Sequence, residues 1–131
     1  MIKLLPEPYR GDTLALSTYI QGENFTSTSF VGASLRFYIK DARGNVVVTA
    51  LPEHLTIGIP EQRLQNLDPF GIINWWGVTL SVRIPKTLMN LPGDKIYFSN
   101  FKLDFAVESG QTVGVTKTYY KATFKLLDAA I

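Results

Sequence analysis

The sequence predicts an all-β fold, an antiparallel sandwich of about seven strands. Two observations carry that expectation. Several stretches alternate apolar and polar residues with a period of two, the mark of a strand with one buried face. Turn-forming residues separate them at short intervals, and no stretch has the length and 3.6-residue period of a long helix. A closed barrel is the alternative way to bury so many short amphipathic strands. With 131 residues, 46% apolar and 18% charged, the chain can build one core without disulfide or metal and is too apolar for disorder.

The clearest element is a hairpin over 30–50. Leu35, Phe37 and Ile39 alternate with Arg36, Tyr38 and Lys40. Asp41-Ala42-Arg43-Gly44-Asn45 supplies a turn, with Asp offering a side-chain acceptor and Gly44 the positive φ of a short loop. Val46, Val47 and Val48 return the chain as a β-branched strand. Before the hairpin, residues 1–10 read as an extended arm, because Pro6 and Pro8 follow Leu4 and Leu5. Residues 11–131 then form a single domain. Leu14, Leu16 and Ile20 mark a first strand, and the Gly-, Asn- and Ser-rich stretch 21–29 a loop.

After the hairpin, Leu55, Ile57 and Ile59 form a short strand that Pro60 stops. Residues 61–76 carry Leu64, Leu67, Phe70, Ile72, Ile73, Trp75 and Trp76 without a period, so they read as a long apolar loop. Val78, Leu80, Val82 and Ile84 restore the alternation. Pro85 opens a candidate helical turn, and Pro92-Gly93-Asp94 makes a tight one. Along 95–108, Phe101, Leu103, Phe105 and Val107 share one parity and Ile96 and Phe98 the other, which predicts a bulge near Ser99-Asn100. A turn at 108–111 leads to a last strand with Ala122, Phe124 and Leu126 inward.

Several of these stretches, taken in order, resemble a known family. Gly11-Asp12-Thr13 leads into the first strand, and Phe30-Val31-Gly32-Ala33-Ser34-Leu35-Arg36-Phe37 precedes Ile39-Lys40-Asp41 and Gly44-Asn45-Val46-Val47. Val78-Thr79-Leu80-Ser81-Val82, Thr87-Leu88 and Leu91-Pro92-Gly93-Asp94 come later. This order resembles the immunoglobulin-like β-sandwich in the N-terminal part of phage baseplate upper proteins and in related small phage tail proteins. It covers roughly 11–127, and departs where related sequences have a short turn and this chain has 61–76. The resemblance implies an immunoglobulin-like sandwich and a virion component that docks onto other virion proteins.

Composition narrows the chemistry. Net charge is +2, too small to point to nucleic acid or an anionic membrane. No stretch approaches the roughly 20 apolar residues of a membrane helix, and the first ten residues lack the apolar run of a signal peptide. There is no cysteine, hence no thiolate nucleophile or cysteine metal site. His54, the only histidine, has no second imidazole to share a metal and reads as a solvated loop residue. Asp41 and Asp94 fall in turns, and Asp104 reads as a paired, solvent-facing carboxylate. Phosphate loops and nucleophile elbows are absent. No cofactor and no catalytic residue is expected.

Two features bear on binding. Trp75 and Trp76 are adjacent; if this end of the loop runs extended, neighbours point to opposite faces, so one ring can be core and the other exposed. Lys117, Lys121 and Lys125 share a parity with Tyr119, which suits a solvated face guarding a sheet edge better than a single-strand nucleic-acid groove. The expectation is a non-catalytic tail, baseplate or adaptor protein of a phage virion, made in the host cytoplasm. Its partners would be other virion proteins and further copies of itself in a symmetric assembly. The interface would comprise Leu4, Leu5, Phe70, Ile72, Trp75 and Trp76. The alternative is a carbohydrate-binding module that recognises a host-surface glycan.

Overall fold

The computed structural model describes residues 2–3, 11–66, 68–106 and 115–127. Nine strands cover them: β1 (Ile2–Lys3), β2 (Leu14–Gln21), β3 (Ser34–Lys40), β4 (Val46–Thr49), β5 (Leu55–Ile57), β6 (Glu61–Asn66), β7 (Ile72–Ile84), β8 (Lys95–Asp104) and β9 (Thr116–Leu126). One sheet runs β1-β9-β8-β3-β4, and the other runs β2-β7-β5 with β6 also paired to β7. Every pairing is antiparallel except that of β1 with β9. The fold is therefore an immunoglobulin-like antiparallel sandwich. β2, β7 and β5 take the places of strands B, E and D, and β3, β8 and β9 those of C, F and G. The two strands beyond the expected seven are β1, within the first ten residues, and β6.

Period-two alternation places the core. Leu35, Phe37 and Ile39 from β3, with Phe101 and Leu103 from β8, face Leu80, Val82 and Ile84 of β7. The Phe37 and Phe101 rings meet at 4.9 Å between centroids, and Phe37 is fully buried. The turn after β3 forms as its residues dictate. Asp41 Oδ1 accepts the backbone N–H groups of Arg43 and Asn45, each at 2.9 Å. Those bonds, that from Asn45 foremost, hold the Asp41 carboxyl below its ordinary pKa. Gly44 takes φ +86°.

The parity expected for β8 needs correction. Tyr97, Ser99, Phe101 and Leu103 all point inward without a break, while Ile96 faces out and Phe98 is only half-buried. Hydroxyl partners explain why a tyrosine and a serine displace two more apolar residues. Tyr97, 2% exposed, donates to Pro92 O at 2.7 Å, and Ser99 Oγ donates to Ala122 O at 3.3 Å. The Tyr97 bond closes the β7–β8 corner in the manner of the tyrosine corner of immunoglobulin-type sandwiches. The bulge does sit at this level, but its extra residue is on β9. Ser99 pairs with Ala122 and Phe101 with Tyr119, so two β9 residues stand opposite Asn100. This flips the parity of β9 halfway. Tyr119 packs against the core and Lys117 lines the sandwich end, whereas Lys121 is exposed on the outer face. The expected single lysine stripe does not exist.

Asp104 is paired, as its position suggested. Arg36 grips it through two bonds, Nε to Oδ2 at 2.7 Å and Nη2 to Oδ1 at 2.8 Å. Thr116 Oγ1 donates to Oδ1 at 2.6 Å. The group thus staples β3, β8 and β9 on the outer face. The Arg36 bonds hold the Asp104 carboxyl below its ordinary pKa. A depressed carboxylate stabilises the fold at pH values above its unfolded pKa, about 3.9, and that contribution is lost as pH falls through the folded value. Arg36 is largely solvated, so screening keeps the effect small. Asp104→Asn should cost about 1 kcal/mol near neutral pH. In urea denaturation the difference from the parent should shrink to nothing in strong acid; a constant difference would mean the ion pair is not its source.

Candidate functional site

Residues 61–76 are not a loop. Glu61–Asn66 forms β6, which pairs in register with the first part of β7, from Glu61↔Gly77 to Asn66↔Ile72. The rest of β7 belongs to the sandwich: Leu14↔Ile84 through Gln21↔Gly77 joins it to β2, and Leu55↔Val82 through Ile57↔Leu80 joins it to β5. β7 is a single strand of 13 residues that outruns β2. The Gly22 N–H still reaches Trp76 O at 3.3 Å, after which the chain turns away. Beyond that point β6 is the only strand beside β7 among the described residues. The outcome is a two-stranded ribbon extending past the end of β2.

Side-chain and backbone directions in the ribbon follow from the same register. Trp76 O faces β2, and Thr79 O faces β5, where it accepts the Gly58 N–H at 2.8 Å. Alternation then turns the backbone groups of Ile73 and Trp75 toward β6. Those of Ile72 and Asn74 point to the edge that β2 has left. Gln62 Nε2 reaches Asn74 O at 3.4 Å. Leu64, Asn74, Ile72, Gln62 and Trp76 share one face, and Arg63 and Trp75 the other.

A clasp on the outer face fixes the ribbon to the sandwich. Tyr19 lies over Gly77, where an added Cβ would come within 2.6 Å of the Tyr19 hydroxyl and would also collide with Ile20 O. Tyr19 Oη donates to Glu61 O at 3.3 Å. The Arg63 guanidinium sits 3.8 Å from the centroid of the Tyr19 ring, and its Nε donates to Glu61 Oε1 at 2.8 Å. Partial burial raises the Tyr19 hydroxyl above its ordinary pKa. A cation–π contact at such an exposed site contributes about 0.5–1 kcal/mol.

Of the residues expected at an interface, Phe70 and Ile72 lie on the ribbon and are 87% and 70% exposed. Trp75 and Trp76 are both half-buried, on opposite faces of β7. Leu4 and Leu5 lie outside the described residues. Leu64, 72% exposed on the same face as Ile72, belongs to the surface and was missed as a site residue. As the one apolar residue of Glu61–Asn66, it carries no periodic signal that sequence reading could have used. Together Leu64, Phe70 and Ile72 make an exposed apolar surface at the far end of the ribbon.

The same end of the sandwich carries a second feature. Phe25 packs edge-on against Phe30 at 4.9 Å, and both lie 6.0 Å from Phe105. An open hollow of about 530 Å³ beside them is lined by Asn24, Thr28, Val31, Ala106 and Lys117, among others. The loop hydroxyls there serve the loop itself, since Ser29 Oγ accepts the Thr26 N–H at 2.8 Å.

His54 differs from its expectation as a solvated residue. It ends a single 3-10 turn, Pro52–His54, its side chain is only 13% exposed, and Nδ1 accepts the Leu51 N–H at 3.1 Å. It serves as a cap within its own turn. Among the described residues no three His, Asp or Glu side chains gather as a metal site requires.

No family model and no curated protein matches the sequence. Among solved structures, the chain is similar to part of a family 123 glycoside hydrolase from Clostridium perfringens, described for glycolipid glycan hydrolysis, with 12% identity and a TM-score of 0.40. The match covers 93% of this chain and 22% of that one. A likeness at this level carries no argument about function.

The clasp gives a direct test. Gly77→Ala should destabilise the protein by about 1–3 kcal/mol, the range for overpacking a tight contact, read by urea denaturation. A change within about 0.5 kcal/mol, the range of ordinary surface substitutions, would show that Tyr19 does not lie against Gly77.

Proposed function

We propose that this chain is a non-catalytic protein–protein docking module that presents the β6–β7 ribbon to its partner. One observation carries the reading. A two-stranded ribbon extends past β2, is clasped to the sandwich by Tyr19 and Arg63, and exposes Leu64, Phe70 and Ile72. Large apolar side chains gathered on an exposed element are disfavoured in water and gain free energy when a partner covers them. A ribbon already ordered before binding loses less conformational entropy on docking than a loose loop would. Aromatic anchors such as Phe70 commonly dominate such contacts.

The biological setting follows from the strand-and-turn order of 11–127, which resembles the sandwich of phage baseplate upper and small tail proteins. On that basis the chain is a structural subunit of a phage tail, baseplate or adaptor, docking onto other virion proteins in a symmetric assembly. Phe70 and Ile72 remain anchors in this reading and Leu64 joins them. Trp75 and Trp76, being half-buried, serve the ribbon's own packing as well as its surface.

The test is a triple variant, Leu64→Ser with Phe70→Ser and Ile72→Ser, compared with the parent by light scattering after size exclusion. Self-association should weaken by at least about tenfold, a loss of only about 1.4 kcal/mol, while the β-sheet circular dichroism and the urea midpoint stay close to the parent. Unchanged assembly would overturn the docking role of the ribbon. So would a parent that is monomeric at high concentration and binds immobilised glycans instead.

A further inference from the structure

A second surface lies away from the ribbon, on the outer face of the β2-β7-β5 sheet. Ser17 pairs with Ser81, and Ser81 pairs with Thr56, so three hydroxyl residues stand abreast on neighbouring strands. Strands lie about 4.8 Å apart, which sets the spacing of the row. Ala15, opposite Arg83, leaves room beside it. These residues, with His54, line a hollow of about 280 Å³.

The donors here are unclaimed. The side chains of Ser17, Thr56, Ser81 and Arg83 make no hydrogen bond or ion pair with any described residue. His54 adds one more. Its Nδ1 is occupied by the Leu51 N–H, so the neutral ring carries its proton on Nε2. No carboxylate lines the hollow. Glu53 stands beside it: its Oε1 lies 3.8 Å from His54 Nε2 and its side chain is 74% exposed.

We propose that this hollow binds a tetrahedral oxyanion, the phosphate or sulfate group of a ligand. A guanidinium is the strongest protein partner for such a group, because its fork of N–H donors matches two of its oxygens. Hydroxyls about one strand spacing apart can each donate to a different oxygen of the same tetrahedron. The imidazole N–H supplies a further donor without needing a charge. The site stands independently of the ribbon and of any docking role.

The test uses the intact chain and nitrogen–proton correlation spectra during titration with inorganic phosphate, glucose 6-phosphate and glucose. Phosphate should shift the amides of Ser17, Thr56, Ser81 and Arg83 in a saturable way, and glucose should not. Tighter binding of glucose 6-phosphate than of phosphate assigns the site to a phosphorylated sugar, and equal binding to the free anion. Arg83→Gln, an exposed position, should weaken binding by at least about tenfold. Glu53→Gln should tighten it by removing a like charge. Shifts spread over the surface lysines instead, unchanged affinity in Arg83→Gln, or weaker binding in Glu53→Gln would each overturn the proposal.

Discussion

The Tyr19 ring lies across the backbone of Gly77, and the rest of the ribbon's geometry depends on that contact. β7 passes this point in one continuous strand, with β2 and β5 beside it on the sandwich side and, among the described residues, β6 alone beyond. A side chain at position 77 would push Tyr19 off the sheet. Tyr19 would then lose Glu61 O and the guanidinium of Arg63 together. Isolated two-stranded ribbons are only marginally stable in water. This one is extended from a buried strand and held by a ring, a cation and a carboxylate.

The sandwich itself was legible because its strands bury one face. The alternation of Leu35, Phe37 and Ile39, and that of Val78, Leu80, Val82 and Ile84, fixed which residues meet in the core. The ribbon was not legible for the opposite reason. Every described side chain of Glu61–Asn66 is exposed, so the stretch carries no hydrophobic alternation, and its partner strand reads as a run of apolar residues. Pairing of this kind is decided by contacts distant in sequence, such as Tyr19 with Gly77. The β9 bulge was hidden likewise, since it is set by β8 across the ladder. Tyr97 and Ser99 were misjudged because hydropathy ranks them below Ile96 and Phe98. Hydroxyl partners at Pro92 and Ala122 reverse that ranking in the folded chain.

Two surfaces of different character result. The ribbon offers Leu64, Phe70 and Ile72, apolar groups with no chemistry beyond burial. The opposite character marks the face around Ser81, where Arg83 and three hydroxyls have donors that no described residue takes up. Of the candidate site, Phe70 and Ile72 could be picked from the sequence by size alone. Leu64 and the Ser17, Ser81 and Thr56 row could not, because only the strand register brings those residues together.

The central claim is that 61–66 and 72–76 pair as an ordered ribbon, and amide hydrogen exchange on the intact chain tests it most directly. Paired strands protect alternate amides, whereas loops exchange at once. The register predicts slow exchange at Arg63, Gln65, Ile73 and Trp75, whose backbone groups face one another across the ribbon, and fast exchange at Ile72 and Asn74 on its open edge. Uniformly fast exchange across 61–76, with the sandwich strands still protected, would contradict the account.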